Sequence, residues 1–499
     1  MTENIVPLIH QLLKEVGPGR MSTTAYDTSW IARLGEMDWE LSSRALNWIW
    51  ENQLPDGSWG ARESFYYHDR FISTLAAMIA LTYLNKRQQD RKQIERGLLA
   101  LEKIVAGAPR GLQADPNGAS IGFEMIAPTL VAEAEKLGII KRHGTRVLDQ
   151  LSHQRAVKLA LIRDKMISRE ETAAFSAEMA GHDGYQMLDV DNLQGNNGSI
   201  GHSPSATAYF ALYVKPQDSA ALKYLRNTIN PDGGATDFVP FDMFEAAWSL
   251  WNLSLLELES WNQETILLFH PHVDHLKQGW EKGKGIGISV DYCIPDGDNT
   301  AMAFEVLTRL GHHPDAEAIL SFEENKHFCT YHYEAHSSTS VNIHVLGALR
   351  QAGFSPTSSH VRNILMFLKK TKVGDAYWFD KWHLSPYYTT SHAIVASAGY
   401  ANDLIEKSIE WIISSQNQDG SWGYQIPTAE ETAYCLQSLC IWKRRGGKVP
   451  NCTLQSARNW LSQHIEPPYP LLWIGKGLYT VELVVRSAIY SALLLAQES

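Results

Sequence analysis

Gln53-Leu54-Pro55-Asp56-Gly57-Ser58-Trp59-Gly60 returns later in the chain as Gln416-Asn417-Gln418-Asp419-Gly420-Ser421-Trp422-Gly423. A degenerate copy stands at Gln194-Gly195-Asn196-Asn197-Gly198-Ser199-Ile200-Gly201. Asp-Gly forms a turn, and the Gln can bond neighbouring backbone while its amide packs against the Trp. Segments with helical periodicity flank both full copies: residues 43–52 and 71–83 around the first, 403–414 and 429–441 around the second. Helix, Gly-rich turn and helix in repetition predict helical hairpins stacked into a curved array. Few alternating stretches persist, so the fold class is predicted to be all-α.

Working outward, residues 4–16 read as a short amphipathic helix with Ile9, Leu12, Leu13 and Val16 on one face. Residues 242–256 open with a capping-box arrangement of Asp242 and Glu245, and Phe244, Trp248 and Trp251 follow at core spacing. The Gly-rich stretch Asn230-Pro231-Asp232-Gly233-Gly234 before it is a natural boundary. The length of 499 residues suits about two or three domains. A hydrophobic share of 44% with 16 Trp and 20 Tyr marks a globular chain. Net charge is -11 and no basic run stands out, which disfavours a nucleic-acid partner and strong attraction to an anionic membrane. Cys293, Cys329, Cys435, Cys440 and Cys452 form no Cys-x-x-Cys pair, a usage that suits a reducing compartment. The first residues lack the pattern of a signal peptide, and no apolar run approaches the roughly 20 residues needed to span a bilayer. A soluble, cytoplasmic protein is expected.

The chemistry concentrates in Pro295-Asp296-Gly297-Asp298-Asn299-Thr300-Ala301-Met302-Ala303-Phe304-Glu305-Val306-Leu307. Ala303, Phe304, Leu307 and Leu310 recur at helical spacing, so Asp296, Asp298 and Asn299 sit at or just before a helix N-terminus. Two readings stand side by side. Asp298 or Asn299 can be an N-cap with an acidic entry turn. Alternatively, a carboxyl held in an apolar cavity stays protonated and acts as a Brønsted acid, strong enough for an alkene when a neighbour stabilises its conjugate base. Asp189-Val190-Asp191-Asn192 has the same D-x-D-N form without the Thr-Ala-x-Ala-Phe helix, and reads as polar turn and capping residues.

D-x-D-[D/N]-T-A-x-A-F resembles the catalytic motif of class II terpene cyclases, the copalyl diphosphate synthase family, whose usual form is DxDD. The repeat resembles that family's QW motif, and Ser22-Thr23-Thr24-Ala25-Tyr26-Asp27-Thr28-Ser29-Trp30-Ile31-Ala32 resembles its S-A-Y-D-T-A-W-V-A entry segment. The resemblance implies two α/α barrels with the active site between them. A γ domain, residues 21–235, would be inserted into a β domain made of residues 1–20 and 236–499, without the C-terminal α domain of plant relatives. It makes Asp298 the proton donor, with Asp296 and Asn299 beside it. His344, with Asn342 close by, falls where the family places the acid's hydrogen-bonding partner.

Glu124, in Gly122-Phe123-Glu124-Met125-Ile126-Ala127-Pro128, matches the family's Mg²⁺-serving acid, and Lys158, Lys381 and Lys476 match segments that bind the diphosphate. Ala177 and Asp237 take the places of the His/Asn dyad that ends the reaction in plant enzymes. An absent early base lets the carbocation live longer, so the resemblance implies a rearranged halimane or clerodane (kolavenyl-type) diphosphate made from geranylgeranyl diphosphate. Drimenyl diphosphate from farnesyl diphosphate is the alternative. A downstream diterpene synthase or phosphatase would use the product. Tyr26, Trp382, Tyr387 and Tyr388 could present cation-stabilising faces to the cavity.

Two other classes are kept in view. Zinc protein prenyltransferases share the α/α barrel and need an Asp/Cys/His set. His270, His272, Asp274 and His275 cluster without a Cys, and His327, Cys329, His332 and His336 form a second group. A non-catalytic helical scaffold would have no need of Asp296 and Asp298 together with Glu124 and the lysines. Class I ionisation is disfavoured, since no Asp-Asp-x-x-Asp occurs.

Overall fold

The turn inside the repeat closes in one way wherever it occurs in the computed structural model. That structure describes residues 5–84, 88–107, 119–141, 151, 153, 155, 156, 158–160, 166–256, 261–332, 334 and 336–498. In the first copy Leu54 N donates to Ser58 O, Gly57 N to Leu54 O and Ser58 N to Asp56 Oδ1. Residues 195–199 and 417–421 repeat these bonds, and so do residues 230–234, the stretch expected to be only a boundary. The glycine is required: Gly57 and Gly420 have φ of +93° and +96°. A Cβ on Gly57 would lie 2.5 Å from Arg96 O on the next outer helix.

The repeat glutamine bonds its own turn, Gln53 Nε2 to Gly57 O and Gln416 Nε2 to Gly420 O, each at 2.9 Å. The same amides reach the following outer helix at Gln93 O and Thr453 O. The tryptophans bond the preceding helix instead, Trp59 Nε1 to Ile49 O and Trp422 Nε1 to Ile412 O, each 2.8 Å.

After each turn a backbone N–H is caught by a threonine of an inner helix. The pairs are Trp59 with Thr74, Ile200 with Thr207, Ala235 with Thr28, Ile286 with Thr300, Trp378 with Thr390 and Trp422 with Thr432, at 2.9–3.2 Å. The bond to Thr300 ties the repeat to the chemistry, because Thr300 follows Asn299 directly.

These hairpins build two rings. Six inner helices, Asp242–Leu253, Gly297–Arg309, Thr339–Gln351, Pro386–Ser397, Ala429–Arg444 and Glu482–Glu498, each pack on the next, and the last packs on the first. Gln263–Gly279, Ser359–Thr371, Glu406–Ser414 and Asn451–Leu461 lie outside them, and so does Ile5–Glu15, which packs on Gln263–Gly279 and Glu482–Glu498. The second ring comprises Ala25–Ala32, Tyr67–Leu84, Phe123–Lys136, Thr172–Ala180 and Pro204–Tyr209. Each ring encloses its own apolar core, with Ile9, Leu12 and Leu13 in the first and Ala25 through Ala235 in the second. The fold is the all-α pair of α/α barrels that the repeat and the motifs predict.

A short antiparallel hairpin, Trp473–Ile474 paired with Leu478–Tyr479, clasps the rings together. Gly475 O accepts from Ile121 N, Ile474 N donates to Trp382 O, and Leu478 N donates to Asp69 Oδ1. A small apolar cluster of Ala61, Tyr66, Leu384, Leu472, Ile474 and Leu478 seals the same seam.

One local expectation is corrected. Asp242 is the first residue of its helix rather than a cap, and it pairs with His275 at 2.7 Å. Glu245 does not close a capping box. Its carboxylate accepts from the backbone N–H groups of Gly17, Gly19 and Arg20, a set of three charge-assisted bonds that outcompetes a single cap bond.

Candidate active site

Helix Gly297–Arg309 begins where the sequence places it, but its N-cap is Asp296, not Asp298 or Asn299. Asp296 Oδ1 accepts from Asn299 N at 2.7 Å and Oδ2 from Asn299 Nδ2 at 2.9 Å. Both acceptor oxygens of the cap are thus occupied, and Asp298 is left free of capping duty. Burial and the nearby Asp298 charge push the Asp296 carboxyl up to about 8, against the bonds from Asn299.

Asp298, in the first turn of the helix, turns toward the neighbouring helix Thr339–Gln351. Its Oδ1 lies 2.5 Å from His344 Nδ1. The His344 side chain is 1% exposed and that of Asp298 is 11% exposed, so this pair is shielded from bulk water. With Oδ1 covered, Oδ2 is the oxygen without a protein hydrogen bond among the described residues.

On the far side of His344, Nε2 lies 2.7 Å from His392 Nδ1. Burial and the neighbouring imidazoles of His344 and His383 hold His392 well below the usual histidine range, so it is neutral. Aromatic rings enclose the acid. Phe241, Phe244 and Trp248 stack with centroids 4.3 and 3.9 Å apart, Trp248 meets His344 edge-on at 5.8 Å, and Tyr388 lies 5.0 Å from Trp473.

Asn342 belongs elsewhere. Its Oδ1 accepts from Phe328 N while Nδ2 donates to Phe328 O and Ser338 O, so its amide is used up clamping a loop. The expectation that it serves the acid is corrected on that ground.

A second group of charges straddles the seam between the rings. Glu124, in the first turn of Phe123–Lys136, forms an ion pair with Lys158. From the other ring Lys381 Nζ donates to Glu334 Oε2 at 2.7 Å and to His336 O at 2.6 Å. The clasp holds these two pairs as neighbours, because Ile121 and Trp382 bond its adjacent residues Gly475 and Ile474. Burial and the cations of Lys158 and Lys381 pull the His336 imidazole down, against Glu124 and Glu334. Glu334 Oε1 is buried with no hydrogen-bond partner among the described residues.

Lys476 does not join this group. Its Nζ is fully buried against Glu178 Oε1, Ser203 Oγ and Ser205 Oγ, each at 2.7 Å, and sits 4.3 Å from the Phe175 ring. A lysine with every proton committed inside the protein has none to offer a diphosphate, so its expected binding role is corrected to that of an interior clasp. Tyr26 also belongs to this cluster, donating to Glu178 Oε1 at 3.0 Å.

Ala177 and Asp237 are both buried; Asp237 Oδ2 accepts from Lys476 N at 2.8 Å and Oδ1 has no partner among the described residues. Burial and the Asp27 charge push its carboxyl far above the usual range.

The histidine clusters have structural partners. His272 bonds Leu13 O at 2.6 Å, and His275 bonds Asp242. Among the described residues Glu324, Cys329 and His332 have ligand atoms close enough to share an ion, a set that differs from the cluster read in the sequence. Burial and the charges of Glu324 and Glu334 push the Cys329 thiol up to about 12.

Sequence reasoning missed two residues, His392 and Glu334. Every residue of helix Pro386–Ser397 is buried, and the polar run Thr389-Thr390-Ser391-His392 within so apolar a helix was the available signal. Nothing local marks Glu334. It matters through Lys381, which is remote in sequence.

Comparison with known proteins bears on the family and the fold. Residues 330–440 match the squalene-hopene cyclase C-terminal domain. The chain is 48% identical over 483 residues to the type B diterpene cyclase of Mycobacterium tuberculosis, covering 96% of each. It is 28% identical to the bifunctional levopimaradiene synthase of Ginkgo biloba over 65% of this chain, and spans 36% of that longer protein. Among solved structures it is similar to the ent-copalyl diphosphate synthase from Streptomyces platensis, with a TM-score of 0.80, 25% identity and 99% of both chains covered.

Proposed function

The chain belongs to the class II diterpene cyclases, enzymes of the isomerase type, and from that premise we propose that it cyclises geranylgeranyl diphosphate by protonation and keeps the diphosphate. The observation that carries the reading is the 2.5 Å contact of His344 with Asp298 Oδ1, which leaves Oδ2 as the oxygen able to meet substrate. Asp298 gives its proton to the terminal alkene: the O–H bond breaks as a C–H bond forms. The carboxylate left behind is stabilised by the His344 N–H, while the shortage of water around it keeps the acid protonated before the step. Asp296 and Asn299 hold the turn that aims Asp298.

The π electrons of successive prenyl double bonds then attack the carbocation made by protonation, and the final cation loses a C–H proton to give the neutral product. The aromatic cluster of Phe241, Phe244, Trp248 and Trp473 lies at the acid end, where a ring face turned to a desolvated cation would be worth about 0.5–2 kcal/mol. Ala177 carries no base, and Asp237 is buried with Oδ2 tied to Lys476 N, so neither position matched to the plant dyad repeats its His/Asn pair. This supports a long-lived cation and a rearranged halimane or clerodane product.

At the other end Lys158 and Lys381 would bind the diphosphate oxygens. In the free protein each lysine is parked on a carboxylate, Glu124 or Glu334. Oxygen donors of this kind suit Mg²⁺, and the partnerless Glu334 Oε1 gives a second carboxylate beside Glu124 for it. Mg²⁺ held there would neutralise diphosphate charge. Binding would therefore be an exchange of partners, with the lysines moving from carboxylate to diphosphate. Lys476 has no part in it.

Incubation with geranylgeranyl or farnesyl diphosphate and Mg²⁺, followed by dephosphorylation and product identification, tests the reading. A bicyclic rearranged C20 alcohol is expected. Unrearranged copalol would remove the late-quench argument, and a drimane alcohol from farnesyl diphosphate alone would move the substrate to C15.

A further inference from the structure

His344 is a middle link, and what lies behind it decides how it can serve Asp298. Its Nε2 is met by His392 Nδ1 at 2.7 Å rather than by water. The His392 ring is fixed between Trp251, stacked at 4.6 Å, and Tyr388 at 4.3 Å. His392 Nε2 is buried with no hydrogen-bond partner among the described residues.

A neutral imidazole donates from one nitrogen and accepts at the other, so two proton arrangements fit these contacts. In one, Asp298 O–H donates from Oδ1 to His344 Nδ1, and His344 Nε2–H donates to His392 Nδ1. The proton of His392 then sits on Nε2, an N–H stranded in the core. In the other, His392 Nδ1–H donates to His344 Nε2, and His344 Nδ1–H donates to Asp298 Oδ1. Only a lone pair on His392 Nε2 is then left unmatched. A buried N–H left without an acceptor is the rarer case in folded proteins. The second arrangement wins.

Its consequence reaches the substrate. With Oδ1 already accepting an N–H, the acidic proton of Asp298 has to reside on Oδ2. In the first arrangement that proton would be locked between Asp298 and His344. We propose that His392 is a positioning residue which sets the direction of this hydrogen-bond chain and so keeps the transferable proton of Asp298 on Oδ2. The inference rests on Asp298 being the acid, and adds a residue one helix further back, on Pro386–Ser397.

The experiment compares His392→Asn, whose amide nitrogen can stand in for Nδ1–H, with His392→Leu, which cannot donate, and with Asp298→Asn. Product formation from geranylgeranyl diphosphate gives kcat and KM, and ¹⁵N NMR of histidine-labelled wild-type enzyme gives the tautomer of His344. His392→Leu is expected to lose about 10- to 100-fold in kcat with KM nearly unchanged, as outer-shell partners do, while His392→Asn recovers most of it. His344 in the wild type should carry its proton on Nδ1. A wild-type His344 protonated on Nε2 overturns the proposal whatever the variants do. So does full kcat in His392→Leu beside an inactive Asp298→Asn, or equal loss in both His392 variants when each melts like wild type. Retained activity in Asp298→Asn would instead bring down the acid assignment itself.

Discussion

Asp189-Val190-Asp191-Asn192 and Asp296-Gly297-Asp298-Asn299 have the same D-x-D-N form, and the structure gives them the same inner clamp. Asn192 Nδ2 donates to Asp189 Oδ2 at 2.9 Å, as Asn299 Nδ2 does to Asp296 Oδ2. The middle acids share nothing else. Asp191 is exposed in a turn, whereas Asp298 is buried at a helix start with a histidine on one oxygen. The first and fourth residues are therefore a local device for shaping a turn. The fold sets the third apart: a helix behind it, His344 on one oxygen and the Trp248 and Tyr388 rings packed against that histidine.

Exchanging the middle acids separates the two most sharply. Asp298→Asn should lower cyclised product by more than about 1000-fold, the scale of a lost general acid, while Asp191→Asn leaves turnover unchanged. Equal effects at the two sites would break the comparison. Removing the partner rather than the acid comes next: His344→Phe should cost about 100-fold in kcat, measured by product formation at saturating substrate. At the seam, Lys381→Ala should raise KM about 10-fold or more with a smaller change in kcat, as loss of a charge-assisted contact to diphosphate would.

Two smaller effects test the scaffold under the acid. Thr300→Val strands the Ile286 N–H and should destabilise the protein by about 1–3 kcal/mol in urea unfolding. Asp296 gives a pH signature. Its folded-state value near 8 lies above the unfolded value of about 4, so the folded protein holds a proton that the unfolded chain releases. That stabilisation is complete below about pH 4 and is lost as pH rises through about 8. The wild-type Tm should fall across this window more steeply than that of Asp296→Asn, and parallel curves would show Asp296 ionised throughout.

Much of this was legible in the chain. The Gln-x-x-Asp-Gly-Ser-Trp copies fixed the hairpin turn, because Asp and Gly there are demanded by local backbone geometry. The copy at 230–234 was missed as a repeat, since it keeps only the Asp-Gly turn and lacks the Gln and Trp that staple neighbouring helices. The connections before Ile286 and Trp378 keep the threonine bond without the motif, and such a bond joins residues too far apart in sequence to read. The helix starts at residues 297 and 339 were legible from periodicity and capping residues, but the pairing of Asp298 with His344 was suggested only by the family resemblance.

Asn342 and Lys476 were not legible as structural residues, because their partners Phe328, Glu178, Ser203 and Ser205 come from other parts of the chain. His392 was hidden for the opposite reason. A histidine in a wholly buried helix looks like core until the residue facing it is known.

Cyclisation run in deuterium oxide asks the central question of the molecule directly. With Asp298 as the acid, reprotonated from solvent between turnovers, wild-type enzyme should place one deuterium on the ring methylene carbon that was the CH of the terminal alkene, with the diphosphate still attached. Asp298→Asn should return labelled-solvent samples of unchanged substrate. Cyclised product with no solvent-derived hydrogen, or release of inorganic diphosphate during ring formation, would contradict protonation by a buried acid.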